Sequence, residues 1–362
     1  MRLLNLSLAC KRAIWLCLLF FSGIQAALGD DDVSDWQVLL QLDNDLFADS
    51  DRDYTSGVRI GFVQEIPAES DKGQRINQRL QDGARKLTNR LRSFRIPEES
   101  ELRFARGFGL SQLIFTPDDP QDLQAPEGQR PYAGWLGLEY SLHVKERNLA
   151  NSLTFTVGTT GDGSFAQETQ NWVHRNISNS PLFQGWDSQV PSELTLNLHF
   201  DHKQRFRGLL NRNVGSIEFD GYYEFGASLG NYRTDAYIGG LARVGYRLPS
   251  NFSTPRVQLG SFGQQLFHAD DGVGNKPSVF LFGGVRAVAV AHDITLDGPL
   301  FRDFNGAVES ETLVGELLYG FGIKYRNIDL VLSQTLRSDE FIGQSNSQRF
   351  GSVMIGFQSN FK

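Results

Sequence analysis

Stretches of about ten residues in which apolar and polar side chains strictly alternate recur along this chain, and that period-two pattern restricts it to sheet. Leu136, Leu138, Tyr140, Leu142 and Val144 oppose Glu139, Ser141, His143 and Lys145; Leu194, Leu196, Leu198 and Phe200 oppose Glu193, Thr195, Asn197, His199 and Asp201. One face is wholly apolar and the other carries charge. A soluble two-sheet sandwich has the same period, so the number and length of the segments must decide. About twelve are present, near 36–43, 55–64, 103–112, 133–145, 151–160, 192–201, 216–229, 233–246, 278–290, 312–324, 327–337 and 348–361. Roughly ten residues suit a tilted strand crossing an outer membrane, and an even count returns both termini to one side. The expected fold is therefore all-β, a twelve-stranded antiparallel transmembrane β-barrel. Val353, Ile355, Phe357 and Phe361 close the chain in the manner of an outer-membrane strand, with Lys362 after the terminal aromatic.

The amino terminus agrees. Lys11 and Arg12 precede the apolar run 13–21, followed by small residues at Gly23, Ala26, Ala27 and Gly29, the layout of a secretory signal peptide over 1–27. The run is too short for a membrane helix, which needs about 20 residues. The barrel domain is then 28–362. Both cysteines, Cys10 and Cys17, fall in the leader, so the exported chain has no disulfide, thiolate metal site or thiol nucleophile. The formal charge is −7; removing Arg2, Lys11 and Arg12 leaves about −10, which argues against a nucleic-acid partner.

Counting strands from a periplasmic start makes 43–54, 113–132, 161–191, 230–232, 291–311 and 338–347 extracellular. Residues 65–102 become a periplasmic insertion. There Ile76, Leu80, Ala84, Leu87, Leu91 and Phe94 recur at helical steps among basic and amide side chains, so an amphipathic helix is expected, either plugging the barrel mouth or lying on the inner leaflet.

The chemistry gathers at the outer rim. Asn44 and Asp45 end the first strand, Thr55 opens the second on its lumen-facing parity, Arg130 precedes the fourth, and His174 lies in the third outer loop. That loop contains Gln167-Glu168-Thr169-Gln170-Asn171-Trp172-Val173-His174-Arg175, which has few turn residues and predicts a short helix with Gln170 and His174 one turn apart on a single face. Ester hydrolysis needs a base to activate water and positive charge where the oxyanion forms; a neutral histidine suits the first and a hard cation the second. Calcium takes oxygen ligands, which Asp45 and the Asn44 amide can supply.

Asn44-Asp45, Asp53-Tyr54-Thr55-Ser56-Gly57 and 167–175 resemble the outer-membrane lipid A 3′-O-deacylases, and the likeness runs through the whole exported chain. It implies a twelve-stranded barrel of the Gram-negative outer membrane that hydrolyses the 3′-acyloxyacyl ester of lipid A, with Ca2+ as cofactor, lipopolysaccharide as substrate and an outward-facing site. By the same resemblance His174 is the general base, and Asn44, Asp45 and Thr55 are calcium-site and polar active-site residues, with Asp45 and Asn44 at the metal; Gln170 joins the catalytic set through its place on the His174 face. The sequence departs from the pattern after His174, where Asn176, Ser178, Asn179 and Ser180 stand in place of a carboxylate.

Plainer readings accompany these. Asn-Asp at a strand end is a common turn former, and Asp49, Asp51 and Asp53 form an acidic run that could stiffen a loop. Arg130 suits a lipid A phosphate or a structural salt bridge. His292, beside Asp293, is the rival base. Gly226-Ala227-Ser228-Leu229-Gly230 matches a nucleophile-elbow pattern but ends a strand at a hairpin, where no helix follows. Inward-facing Glu139 and Lys145 suggest an ion-paired lumen. The competing class is a non-enzymatic barrel, a small channel or a relative that has lost activity. A monomer is expected.

Overall fold

The computed structural model describes residues 36–44, 53–66, 103–118, 121–126, 128–146, 148–206, 212–252, 257, 276–344 and 347–358. The leader at 1–27 and the helix expected within 65–102 lie outside them, save for Glu65 and Ile66, which continue the second strand. The strands are β1 (Trp36–Asn44), β2 (Asp53–Ile66), β3 (Arg103–Thr116), β4 (Ala133–Glu146), β5 (Leu149–Thr160), β6 (Leu194–Arg205), β7 (Arg212–Val214), β8 (Ile217–Gly230), β9 (Arg233–Tyr246), β10 (Ser278–Asp293), β11 (Leu313–Tyr325), β12 (Ile328–Arg337) and β13 (Gln348–Gln358). Each neighbour pair is antiparallel. β1 pairs with β13 and β6 with β8, which closes the sheet. Twelve strands make the wall, and the three-residue β7 hangs on β8 outside the ring. Strand ends fall within four residues of those expected from alternation.

Alternation has the expected consequence. Leu138, Phe155, Leu196, Leu281 and Val285 stand exposed on the outer face, while their inward neighbours Glu139, Thr154, Thr156, Asn197 and Arg286 are buried. An apolar exterior over a charged interior inverts a soluble protein and suits lipid as solvent. No helix among the described residues is long and apolar enough to cross a membrane.

The lumen is filled in layers. Leu39, Val63, Tyr222, Phe280, Phe282 and Met354 pack together at the end where β1 begins. Midway, the Arg59 guanidinium lies 2.9 Å from Glu139 and also bonds Gln41, while Ser111 donates to Glu139 at 2.5 Å. Glu224 takes Arg286 at 2.5 Å and Lys203 at 3.6 Å. At the far end Tyr54, Leu113, Phe115, Trp135, Tyr232 and Phe350 form an aromatic layer. The expectation of an ion-paired interior is met: Arg59, 80 residues away in sequence, holds Glu139, because barrel curvature brings β2 side chains across to β4.

Candidate functional site

The loop between β5 and β6 does not cover the barrel mouth; it folds down against the outer face of the wall. A 3-10 turn, Gly161–Ser164, leads through Phe165 in the left-handed region (φ 54°) to helix α1 (Ala166–Val173), which continues as a wider π-type turn over His174–Ser178. Ser164 organises the start. Its hydroxyl donates to the Gly161 carbonyl at 2.6 Å, and its own carbonyl accepts the Gln112 side-chain amide at 2.7 Å, which fastens the loop to β3. The fit is close because Gly134 lies beneath: a Cβ there would stand 2.1 Å from Ser164 Oγ and 2.3 Å from Ala166 Cβ. A second anchor is the cluster of Ile114, Tyr132, Ala166, Phe183 and Trp186, with Tyr132 5.4 Å from Trp186 and 6.2 Å from Phe183.

That packing orients two of the expected residues. Gln170 and His174 share one helical face and are 3% and 4% exposed, so both are turned from solvent into the contact between helix and wall. The Trp186 indole donates to Gln170 Oε1 at 3.0 Å. Gln170 Nε2 has no hydrogen-bond partner among the described residues, although it is buried. His174 Nδ1 lies 2.6 Å from the Pro181 carbonyl oxygen, and the Phe183 ring meets the imidazole edge-on at 5.9 Å. A carbonyl can only accept, so the proton sits on Nδ1 and a neutral ring carries its lone pair on Nε2.

The wall contributes the rest through a β-bulge. The β2–β3 register slips between Tyr54 and Ser56. Tyr54 turns inward, where its hydroxyl donates to Asp43 at 3.1 Å and its ring meets Phe115 and Phe350. Thr55 is thereby turned outward, sharing a 2.8 Å hydrogen bond with Thr116 Oγ1. This corrects the lumen-facing parity expected of Thr55: the bulge inserts one residue and inverts the side-chain order locally. Asn44, which alternates with inward Asp43, faces the same way as Thr55 and donates from Nδ2 to the Thr55 carbonyl at 3.1 Å. Asn44, Thr55 and Thr116 thus form a polar strip on the outer face of β1–β3. On β3 that strip continues directly into Ile114 and Gln112, the residues that hold the helical loop. Thr116, Trp186 and Gly134 were not singled out from the sequence; the aromatic content of 161–191 was the only signal for any of them.

Asp45 lies outside the described residues. Asp43, an alternative acid for a cation, faces the lumen, where it accepts from Tyr54 and from the Val257 amide at 2.9 Å. Arg130 also belongs to the interior. It is 1% exposed, reaches Glu340 at 2.8 Å and Thr295 at 2.8 Å, and stacks on Phe115 at 4.3 Å. Of its two readings the salt bridge is the one found, and the lipid-phosphate role is withdrawn because the chain enters β4 with that side chain pointing inward. Burial pushes the Glu340 carboxyl up, but the Arg337 and Arg130 guanidiniums outweigh it and hold it below the ordinary value. His292 is bound to the Asn231 carbonyl at 3.1 Å and sits on β10, across the barrel from α1. The cavity inside the mouth, lined by Arg130, Arg233, Arg286, Arg337 and Glu340 among others, is about 110 Å³. That volume suits a few waters and not an acyl chain, which leaves the outer face of the wall as the candidate site.

Residues 14–359 match the model of a family described as outer membrane protein LpxR. The chain belongs to that family. Among solved structures, LpxR from Salmonella typhimurium is similar with a TM-score of 0.67 at 18% identity, covering 89% of this chain and 99% of that one. At that identity the likeness shows the LpxR fold alone. The β domain of the Bordetella autotransporter Brka, at 9% identity and 91% and 99% coverage, reaches a TM-score of only 0.39 and carries no argument. No curated protein matches the chain. Membership places the protein among LpxR-like barrels of the outer membrane.

Proposed function

We propose that the protein is an esterase acting from the extracellular side on the 3′-acyloxyacyl ester of lipid A, with His174 as general base. The observation that carries this reading is the Nδ1 contact to the Pro181 carbonyl, which fixes the tautomer and leaves Nε2 as the basic nitrogen within a buried helix–wall contact. Membership of the LpxR family supports a lipid A substrate.

The residues assign themselves to steps. His174 Nε2 accepts a proton from water as the water oxygen attacks the ester carbonyl. Gln170, its oxygen engaged by Trp186, offers a buried amide N–H to the oxygen on which charge develops. His174 returns its proton to the departing sugar oxygen, releasing the fatty acid and free lipid A hydroxyl. The donor set on the wall is made of neutral hard oxygens, the Asn44 amide and the Thr55 and Thr116 hydroxyls, which fits calcium and no softer metal. Asp45, next to Asn44 in sequence, is the charged ligand of this proposal. Bound there, calcium supplies positive charge to the oxyanion.

Mass spectrometry of lipid A from cells with and without the protein tests the activity. Loss of the 3′-acyloxyacyl group is expected with the wild type and absent with His174→Asn, since removing a general base costs about 10²–10⁴ in rate. Near-normal activity in His174→Ala together with its loss in His292→Ala would move the base to the other side of the barrel. Unaltered lipid A with the wild type would leave a non-enzymatic barrel.

A further inference from the structure

A second built groove lies on the outer face, away from α1. The loop after β10 reaches over the wall at the top of β6, and between them is an open groove of about 680 Å³ lined by Glu193, Leu194, Leu196, Asn231, Phe301 and Arg302. It is rigidly tied. Asn231, in the β8–β9 turn, donates to Glu193 Oε1 at 2.8 Å and to the Leu194 carbonyl at 2.8 Å, and its oxygen accepts the Leu196 amide at 2.8 Å. The Phe301 amide donates to Glu193 Oε2 at 2.9 Å, so the overhang is latched to the floor.

The side chains that remain outward make an amphiphilic pair of surfaces. Leu194, Leu196 and Phe301 are 66%, 47% and 76% exposed, and Leu198 continues the apolar floor down β6. Arg302 is exposed and, among the described residues, forms no ion pair or hydrogen bond. Both oxygens of the one lining acid, Glu193, are already bonded to amides. A cation above an apolar wall at the level where strands leave the lipid is complementary to a phosphate ester with hydrocarbon below it. We infer that this groove is a non-catalytic binding site for a phosphate-bearing lipid of the surrounding leaflet, the phosphate on Arg302 and an acyl chain along Leu194, Leu196 and Leu198.

Native mass spectrometry of the full exported chain in detergent tests it, with phosphatidylglycerol, diacylglycerol and inorganic phosphate as probes. No turnover is involved, so the result is independent of the esterase reading. Arg302→Gln should weaken phosphatidylglycerol retention about tenfold and leave diacylglycerol unchanged, since only the former carries a phosphate that loses a charged hydrogen-bond donor. Arg302→Lys should restore most of the difference. Leu196→Asn should weaken both lipids. Phosphatidylglycerol retention indifferent to Arg302→Gln would overturn the site, and displacement by millimolar inorganic phosphate would reduce it to a free-anion site.

Discussion

Substituting Gly134 by alanine should separate the helix from the wall without touching any residue assigned a chemical role. A methyl at Gly134 would stand 2.3 Å from Ala166 Cβ and 2.1 Å from Ser164 Oγ, whereas carbon atoms come to rest at about 3.5–4.0 Å. Ser164 Oγ can rotate at the cost of its bond to Gly161. Ala166 Cβ cannot, so α1 must retreat by roughly 1.2–1.7 Å. Gln170 and His174 travel with it, while Asn44 and Thr55 stay on the wall. A misplacement of about 1 Å between reacting groups can cost 10²-fold, and a loss of that order in ester hydrolysis by purified Gly134→Ala is expected, measured as fatty acid released from lipid A. The β3–β4 and β4–β5 ladders are untouched, so heat-modifiable migration on gels should be retained. Gly134→Ala combined with Ala166→Gly should recover much of the rate, despite the roughly 1 kcal/mol that glycine costs a helix. Single-mutant activity above about one third of wild type, or a double mutant no better than the single, would refute the idea that this contact sets the cleft.

Chelator should remove activity, millimolar calcium should restore it and magnesium should do so poorly, because a few neutral oxygens around one carboxylate suit a loose shell better than an octahedral one; Asp45→Ala should lose the restoration, and full activity of that variant in excess chelator would reject the metal site. Planar-bilayer recordings should show no steady conductance, since Arg59–Glu139 and Arg286–Glu224 fill the lumen; stable single-channel openings with no change in lipid A would favour a channel. Because Glu340 is held below its ordinary value of 4.5, its pairing with Arg337 and Arg130 stabilises the native mouth above that value and fades as pH falls through the depressed one. Hydrogen exchange of 338–344 should therefore quicken on acidification below about pH 4.5, and Glu340→Gln should flatten that dependence; an identical pH profile in the variant would contradict the assignment.

The strand pattern was legible because lipid and lumen impose opposite demands on successive side chains, so Leu138 and Glu139 declare their faces without reference to anything distant. Residues that leave that pattern did not. Thr55 was assigned a face by counting, and one inserted residue at a bulge reversed it. Arg130 lies just before β4, where no period operates, and its partner Glu340 is 210 residues away. Alternation put Glu139 in the lumen but did not name its partner, because curvature brings Arg59 to it from 80 residues away. The Gln170–His174 face was legible because helical spacing is local. Its burial against Gly134 was not, since nothing near a glycine in sequence announces what lies on top of it.

The ion pairs strung across the lumen bear on assembly. Arg59 on β2 and Glu139 on β4 both belong to the chain's first half, but Arg130, just before β4, and Glu340, just before β13, join its early and late parts, as do the β1–β13 pairs. A half-formed sheet would carry Arg130 into a shrinking interior without Glu340 or Thr295, whereas Glu340 keeps Arg337 three residues away, and an unpaired buried charge is worth about 3–5 kcal/mol of destabilisation. Closure removes that penalty in one step, so curling the sheet and neutralising its inner surface become the same event. A partly zipped barrel is therefore a species with strong reason either to finish or to fall back, and intermediates with one open seam should be short-lived.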